Sequence, residues 1–205
     1  MLAGGNFWDG ARQGFITAAL NHVAHGGVNA IRKTRLARQL TKAGYNIDAA
    51  AAMSHEYIKE MIQKVLLLRK QYERAGSPDI DSWILGGNTS LHDGTEALGY
   101  VQYDYLSNTI KSVSFFDLAF TSNFQLASTL GHELVHLQDI YNGSSQKWFN
   151  KKLNSLGNKR LTSIATAGIY AGWKSELNAY RWEMRHGNSI VAKNNYDYYF
   201  KLLNP

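Results

Sequence analysis

Cysteine is absent from the 205-residue chain. That excludes disulfides, zinc ribbons and thiol catalysis, and it obliges any metal site to use His, Asp and Glu. The compartment stays open, because a disulfide-free protein can live on either side of a membrane. Long apolar runs are missing too, and none approaches the ~18 residues needed to span a bilayer. The apolar patch near the N-terminus is interrupted by Arg12, Gln13, Thr17 and Asn21, and its basic charge lies behind an acid and aromatics. It makes a poor signal peptide. The chain reads as soluble and without an export signal of its own.

Acid is scarce in two stretches. None occurs between Asp9 and Asp48 while Arg12, Arg32, Lys33, Arg35, Arg38 and Lys42 accumulate, and none between Asp139 and Glu176, where Lys147, Lys151, Lys152, Lys159, Arg160 and Lys174 fall. These two stretches carry the net charge of +6. Such a pattern fits nucleic acid or an anionic surface. No aromatic or glycine motif of a nucleic-acid module accompanies it, so solvated basic helix faces are the favoured reading.

What is present suffices for one domain, since 44% of the residues are apolar. Helical spacing recurs from Asn6 to His25, then from Ala30 to Ala43 up to Gly44. A single helix is expected over 54–76, with Ser54 as its cap, Tyr57, Ile58, Met61, Ile62, Val65, Leu66 and Leu68 on one side, and Gly76 as its stop before Pro78. Beyond Pro78 the segments "SWILGG", "ALGYVQYDYL" and "KSVSFFDLAF" are short, aromatic or β-branched and bounded by turn residues, so they read as strands of a small sheet. Helix returns from about Phe124 to Tyr141 and stops at Asn142-Gly143, and a linker rich in Lys, Asn, Ser and Gly follows. Leu161 to His186 is helical in pattern, with a break expected near Gly168 or Gly172 and a stop at Gly187, and "NYDYYFKLLNP" reads as a short aromatic helix or a docked tail. The order implies an α+β fold, with residues 1–27 as an N-terminal helix and 28–205 as one domain, helical over 28–77 and carrying the strands and the histidine-bearing helix over 78–205.

The chemistry concentrates in "TLGHELVHLQD", residues 129–139. Positions four apart on a helix are separated by about 400° and about 6 Å, so His132 and His136 point the same way and can grip one ion. Glu133 sits about 100° round, beside the ion's open position, where it can take a proton from a water. Zinc lowers the pKa of a bound water from about 15.7 towards 7. Leu126, Leu130, Leu134, Val135, Leu137 and Ile140 surround the ligands with apolar surface that keeps the site dry. With seven His and seven Glu in the chain, this pattern arises by chance in roughly one per cent of comparable sequences, so it is informative. Asp139, one turn past His136, is either placed to orient a ligand imidazole or a solvated helix residue near the C-terminus. His22, His25, His55 and His92 have no partner at ligand spacing and read as ordinary histidines.

"GHELVHLQD" resembles the active-site helix of zincin metallopeptidases. A metzincin would want Gly where Asp139 stands and His or Asp where Asn142 stands, so the resemblance is to the gluzincin type, in which a glutamate on a later helix completes the site. That likeness implies a zincin-like fold, a small mixed sheet with an active-site helix and flanking helices, and Zn2+ as cofactor. Between the motif and Asp197 only Glu176 and Glu183 are acidic besides Asp139, and "SELNAY" resembles the Glu-x-x-Ala-Tyr stretch carrying the third ligand in several such families. Glu176 is the implied third ligand and Glu183 the alternative. Tyr180, one turn on, would share that face and donate to the oxyanion, unless it is simply a packed aromatic; His186 is a further candidate for that role. "SVSFFDLAF" is expected to hold the edge strand on which an extended substrate lies, or else to be core sheet.

At the other end, "GGNFWDGARQGFITAALNHVAHGG" resembles the connecting segment ahead of the effector domain in Rhs-type polymorphic toxins. The likeness covers about 25 residues and implies the effector tip of a larger secreted bacterial protein, delivered into a target cell. Its expected partners are a protein or peptide substrate, a cognate immunity protein and the Rhs-type carrier. The expected activity is zinc-dependent peptide hydrolysis by an endopeptidase, with His132, His136 and Glu176 on the metal, Glu133 as base and Tyr180 as oxyanion donor. The rival reading is a basic toxin module that uses residues 28–43 and 147–174 on nucleic acid or lipid, with the metal structural or absent. Hydrolysis of non-peptide amides would use the same residues.

Overall fold

Thr34 and Ser54 each accept a hydrogen bond from the backbone N–H three residues on, and these two caps decide where the first helices begin. The computed structural model of the protein describes residues 31, 33–88, 97–157, 160–187 and 189–204. The helix expected over 6–25, the 1–27 segment that contains it, and His22, His25 and His92 lie outside that set. The helix expected over 30–43 is interrupted at Lys33 and Thr34, although Ile31 is helical; Ala30 lies outside the described residues, and α1 (Arg35–Lys42) follows the Thr34 cap and buries Leu36, Ala37 and Leu40.

The single helix expected over 54–76 is two, α2 (His55–Lys64) and α3 (Leu66–Arg74). Val65 between them is extended at φ −95 and ψ 103, and its side chain is fully buried. The restart has an outside partner: the Leu67 N–H donates to Gln39 Oε1 at 2.9 Å. A tertiary hydrogen bond from α1 thus stands in for one that helix continuation would have supplied.

Strands β1 (Ile84–Leu85), β2 (Gly99–Asp104) and β3 (Thr109–Phe115) form one mixed sheet in the order β1-β3-β2. β1 pairs parallel with β3, and β2 pairs antiparallel with it from Gly99 opposite Phe115 to Asp104 opposite Thr109, with a shift in register between Gln102 and Tyr103. The strand expected at the edge is therefore the central one. "SVSFFDLAF" gives β3 only as far as Phe115 and then a 3-10 turn over Asp117–Thr121, while β2 flanks the sheet on the side of the motif helix.

That helix, α4 (Asn123–Tyr141), is capped by Ser122 Oγ on the Gln125 N–H. Gly143, at φ +76, supplies the left-handed turn that ends the run. It is buried nearly all round, as expected of a helix through the middle of a fold. The stretch read as a linker is another helix, α5 (Ser144–Ser155). Its sparse apolar residues hid it in the sequence, yet Phe149 stacks on Tyr105 and packs with Tyr103, Ala167 and Ala171. No break occurs in α6 (Leu161–His186), because Gly168 and Gly172 sit with Ala167 and Ala171 on a buried face where small side chains allow close approach. Gly187 is its C-cap. The tail is a full helix, α7 (Ser189–Leu203), docked on α6 through Leu177, Tyr180, Ala192 and Tyr199.

The described residues thus comprise seven α-helices and one three-stranded sheet, an α+β architecture. None of these helices is long and apolar enough to cross a membrane.

Candidate metal centre

α4 and α6 cross at Gly131, whose missing side chain makes room for the Trp182 indole. The crossing sets "HELVH" against "SELNAYRWE". His132 Nε2 lies 3.4 Å from one Glu176 oxygen and His136 Nε2 lies 3.6 Å from the other. One ligand atom from each of the three residues falls within 4.8 Å of the rest, and all three side chains are buried. Ligands bonded at about 2.0–2.1 Å in a tetrahedron stand roughly 3.3–3.4 Å apart, so the three groups are close enough to close on one ion with a small inward shift. The two Nε2 atoms are sealed from solvent without a hydrogen-bond partner, which is expensive unless a ligand pairs them. The residues fit a divalent cation.

Each imidazole is held from behind. His132 Nδ1 contacts Glu183 Oε1 at 2.5 Å. His136 Nδ1 meets Ser175 Oγ at 2.8 Å, Ser175 Oγ donates to Asp139 Oδ2 at 3.0 Å, and Asn178 Nδ2 donates to the same carboxylate. With a proton on each Nδ1, both Nε2 lone pairs face the Glu176 carboxylate, which is the tautomer metal binding requires. Glu183 thus stands behind the His132 ring, while Glu176 faces both rings.

The electrostatics follow from burying so many charges together. Burial disfavours a charged His132, but Glu176 and Glu183 outweigh it and hold its pKa well above the usual histidine range. His136 is driven well below that range by burial and by His132. Glu133 is pushed up to about 8, mainly by burial, with His132 pulling down and Glu176 and Glu183 pushing up. Asp139 rises to about 6 through burial, against the pull of its Asn178 and Ser175 hydrogen bonds. Four buried carboxylates, Glu133, Asp139, Glu176 and Glu183, surround two imidazoles here, and a divalent cation would supply the positive charge the cluster is short of.

Glu133 lies beside the three ligating groups, and its Oε2 has no hydrogen-bond partner. β2 presses on it: a Cβ at Gly99 would meet Glu133 Oε1 at 2.7 Å, Glu133 Cγ at 2.8 Å and Thr129 Cγ2 at 2.9 Å. Gly99→Ala should therefore displace the carboxylate without touching a ligand. Its expected signature is an overpacking loss of about 1–3 kcal/mol, a melting temperature lowered by roughly 2–12 °C, with metal content unchanged; a variant melting with the parent would show that β2 does not press on Glu133.

Tyr180 is fully buried, edge-on to the His132 ring at 4.9 Å and stacked on Tyr199, and its hydroxyl has no hydrogen-bond partner. Burial first, then Glu176, raises its pKa well above 10, so it stays a neutral donor. His186 packs against Trp182 and is not part of the ligand cluster. His55 bonds the Trp83 carbonyl, an ordinary packing role. Sequence reasoning missed Ser175, Asn178 and Tyr100. Tyr100, next to Gly99 on β2, carries a buried hydroxyl without a hydrogen-bond partner, and its pKa is raised by burial and by Glu133. Ser175 and Asn178 both flank Glu176 in "KSELNAY", but nothing in that stretch marks them as supports of a carboxylate or an imidazole.

Compared with protein-family models, curated proteins and solved structures, the chain matches none of them significantly.

Proposed function

We propose that the chain is a zinc-dependent endopeptidase of gluzincin-like, and more broadly zincin-like, architecture. The observation that carries this is the convergence of His132 and His136 from α4 and Glu176 from α6 at one buried point, with Glu133 next to His132 on α4 and within electrostatic reach of Glu176. A structural zinc site is closed by four protein ligands, whereas a catalytic site has three and keeps a position for the reactants. Among the described residues the cluster comprises three. Bound there, zinc would act as a Lewis acid on the scissile carbonyl and make water nucleophilic near neutral pH.

The chain's own groups do the rest. Glu133 takes a proton from the attacking water as the new C–O bond forms, then delivers it to the amine nitrogen as the C–N bond breaks. Tyr180 keeps its proton and donates a hydrogen bond to the oxygen that gains negative charge. β2 flanks the sheet beside Glu133, so an extended peptide adding to its outer edge would lie across the site. The resemblance of residues 4–27 to the connecting segment of Rhs-type toxins supports placing this activity in an effector domain, released from a larger secreted bacterial carrier and restrained by a cognate immunity protein.

Metal analysis of purified protein tests the centre. The parent should hold about one zinc per chain and His132→Ala under about a tenth of that, because removing the ring also strands the Glu183 carboxylate it pairs with. Chelation should abolish cleavage of an unfolded protein substrate, and zinc should restore it. Parent protein without metal, or cleavage that survives chelation, would overturn the reading.

A further inference from the structure

The two ligand imidazoles are not supported alike. Behind His132 stands a carboxylate in direct contact, whereas behind His136 stands a hydroxyl, with the carboxylate one step further out. Ser175 belongs to α6 and immediately precedes Glu176, while Asp139 lies on α4 one turn beyond His136. A single hydroxyl therefore ties the two helices together at the point where each contributes a ligand.

We infer that Ser175 is the positioning residue of this centre, relaying the Asp139 carboxylate to the His136 ring. With Asp139 ionised, one assignment of protons follows. Asp139 Oδ2 can only accept from Ser175 Oγ while it is ionised, so the serine proton points at Asp139 and its lone pairs face His136. His136 Nδ1 then carries the hydrogen, and Nε2 is left to ligate. The relay is sealed: Ser175 and His136 are fully buried and Asp139 is 4% exposed, so water does not compete for these bonds. Asn178 holds the far side of Asp139 through both oxygens, which fixes the carboxylate without adding charge.

This rests on the metal-centre reading above, and its consequence is a metal affinity, measurable without any substrate. Outer partners of ligating histidines are worth about 10–100-fold in affinity. Ser175→Thr keeps the hydroxyl and Ser175→Val has the same shape without it, so the pair separates the relay from packing at a site with little spare room. In zinc competition against a chromogenic chelator, Ser175→Val should bind about 10–100-fold more weakly than Ser175→Thr, both measured well below the melting temperature of the less stable apo protein. Ser175→Ala should fall with Val. Adding Asp139→Asn to Ser175→Ala should cost little more, since the path is already cut.

Equal zinc affinities for Thr and Val overturn the relay and leave the centre intact. Full additivity of the Asp139 and Ser175 changes does the same, since it means that Asp139 acts on its own. Zinc held with these affinities by a chain that hydrolyses no peptide would sink the proposed activity and leave the relay standing. A parent that binds no zinc removes both.

Discussion

Glu133→Gln should bind zinc as tightly as the parent and hydrolyse peptides about 10³-fold more slowly. The two side chains have the same shape, so the contacts with Gly99 and Thr129 persist, and the change removes only the basic oxygen. Oε2 has no hydrogen-bond partner, so no structural bond is lost with it. The ligand separations belong to His132, His136 and Glu176 and do not involve this residue. The loss should therefore appear in kcat, with zinc content, melting temperature and KM close to the parent values. Single-turnover cleavage of a quenched fluorescent protein substrate, beside metal analysis of the same samples, reads both quantities. A glutamine variant that cleaves at the parental rate would remove Glu133 from the proton-transfer role and leave the metal site without its base.

How far the site could be read from sequence depends on how local each part is. The His132–Glu133–His136 arrangement is set by the rotation of one helix, so spacing alone gives it. The choice between Glu176 and Glu183 was beyond spacing. Seven residues apart on α6, they share a stripe about 10 Å long, and the His132 ring fits between them: Glu176 faces Nε2 and Glu183 touches Nδ1. Asp139 was legible as an orienting group, but the serine through which it works was not, because an isolated small polar residue carries no periodic signal. The same distinction runs through the fold. Ser54, Gly143 and Gly187 act as local signals and mark real helix ends. The interruption at Val65 has neither Gly nor Pro to announce it and is supported by Gln39 from another helix. α5 went unseen because its burial depends on Tyr105 of the strand segment and on Ala167 and Ala171 of α6. Those contacts become available only once the chain has folded.

Gly131→Ala should be severely damaging, with the tightest Cβ contact among Gly76, Gly86, Gly99, Gly131 and Gly187, and its damage should reach the metal. An alanine Cβ there would fall 1.9 Å from Trp182 Cη2, 2.2 Å from Cζ3 and 2.5 Å from Cζ2, all of them ring atoms that cannot bend aside. Trp182 is wedged in the main core cluster, so relief requires α4 and α6 to part or the indole to leave its seat. Overpacking of this kind costs about 3 kcal/mol, which in a chain of this size lowers the melting temperature by roughly 6–12 °C. Glu183 directly follows Trp182, and it touches His132, the residue directly after Gly131. Any parting of the helices therefore pulls on the 2.5 Å contact behind the first ligand and widens the gap from His132 to Glu176. Zinc should accordingly stabilise Gly131→Ala less than it stabilises the parent at the same concentration, because the bound-state gain scales with affinity. Trp182→Phe makes room at the cost of a gap, so the double variant should be more stable than the sum of the two single losses predicts. Thermal unfolding of all four proteins, with and without zinc, completes the cycle. Strict additivity, or an alanine variant melting with the parent, would mean that the α4–α6 crossing is not fixed by this contact and that the ligands are brought together by something else.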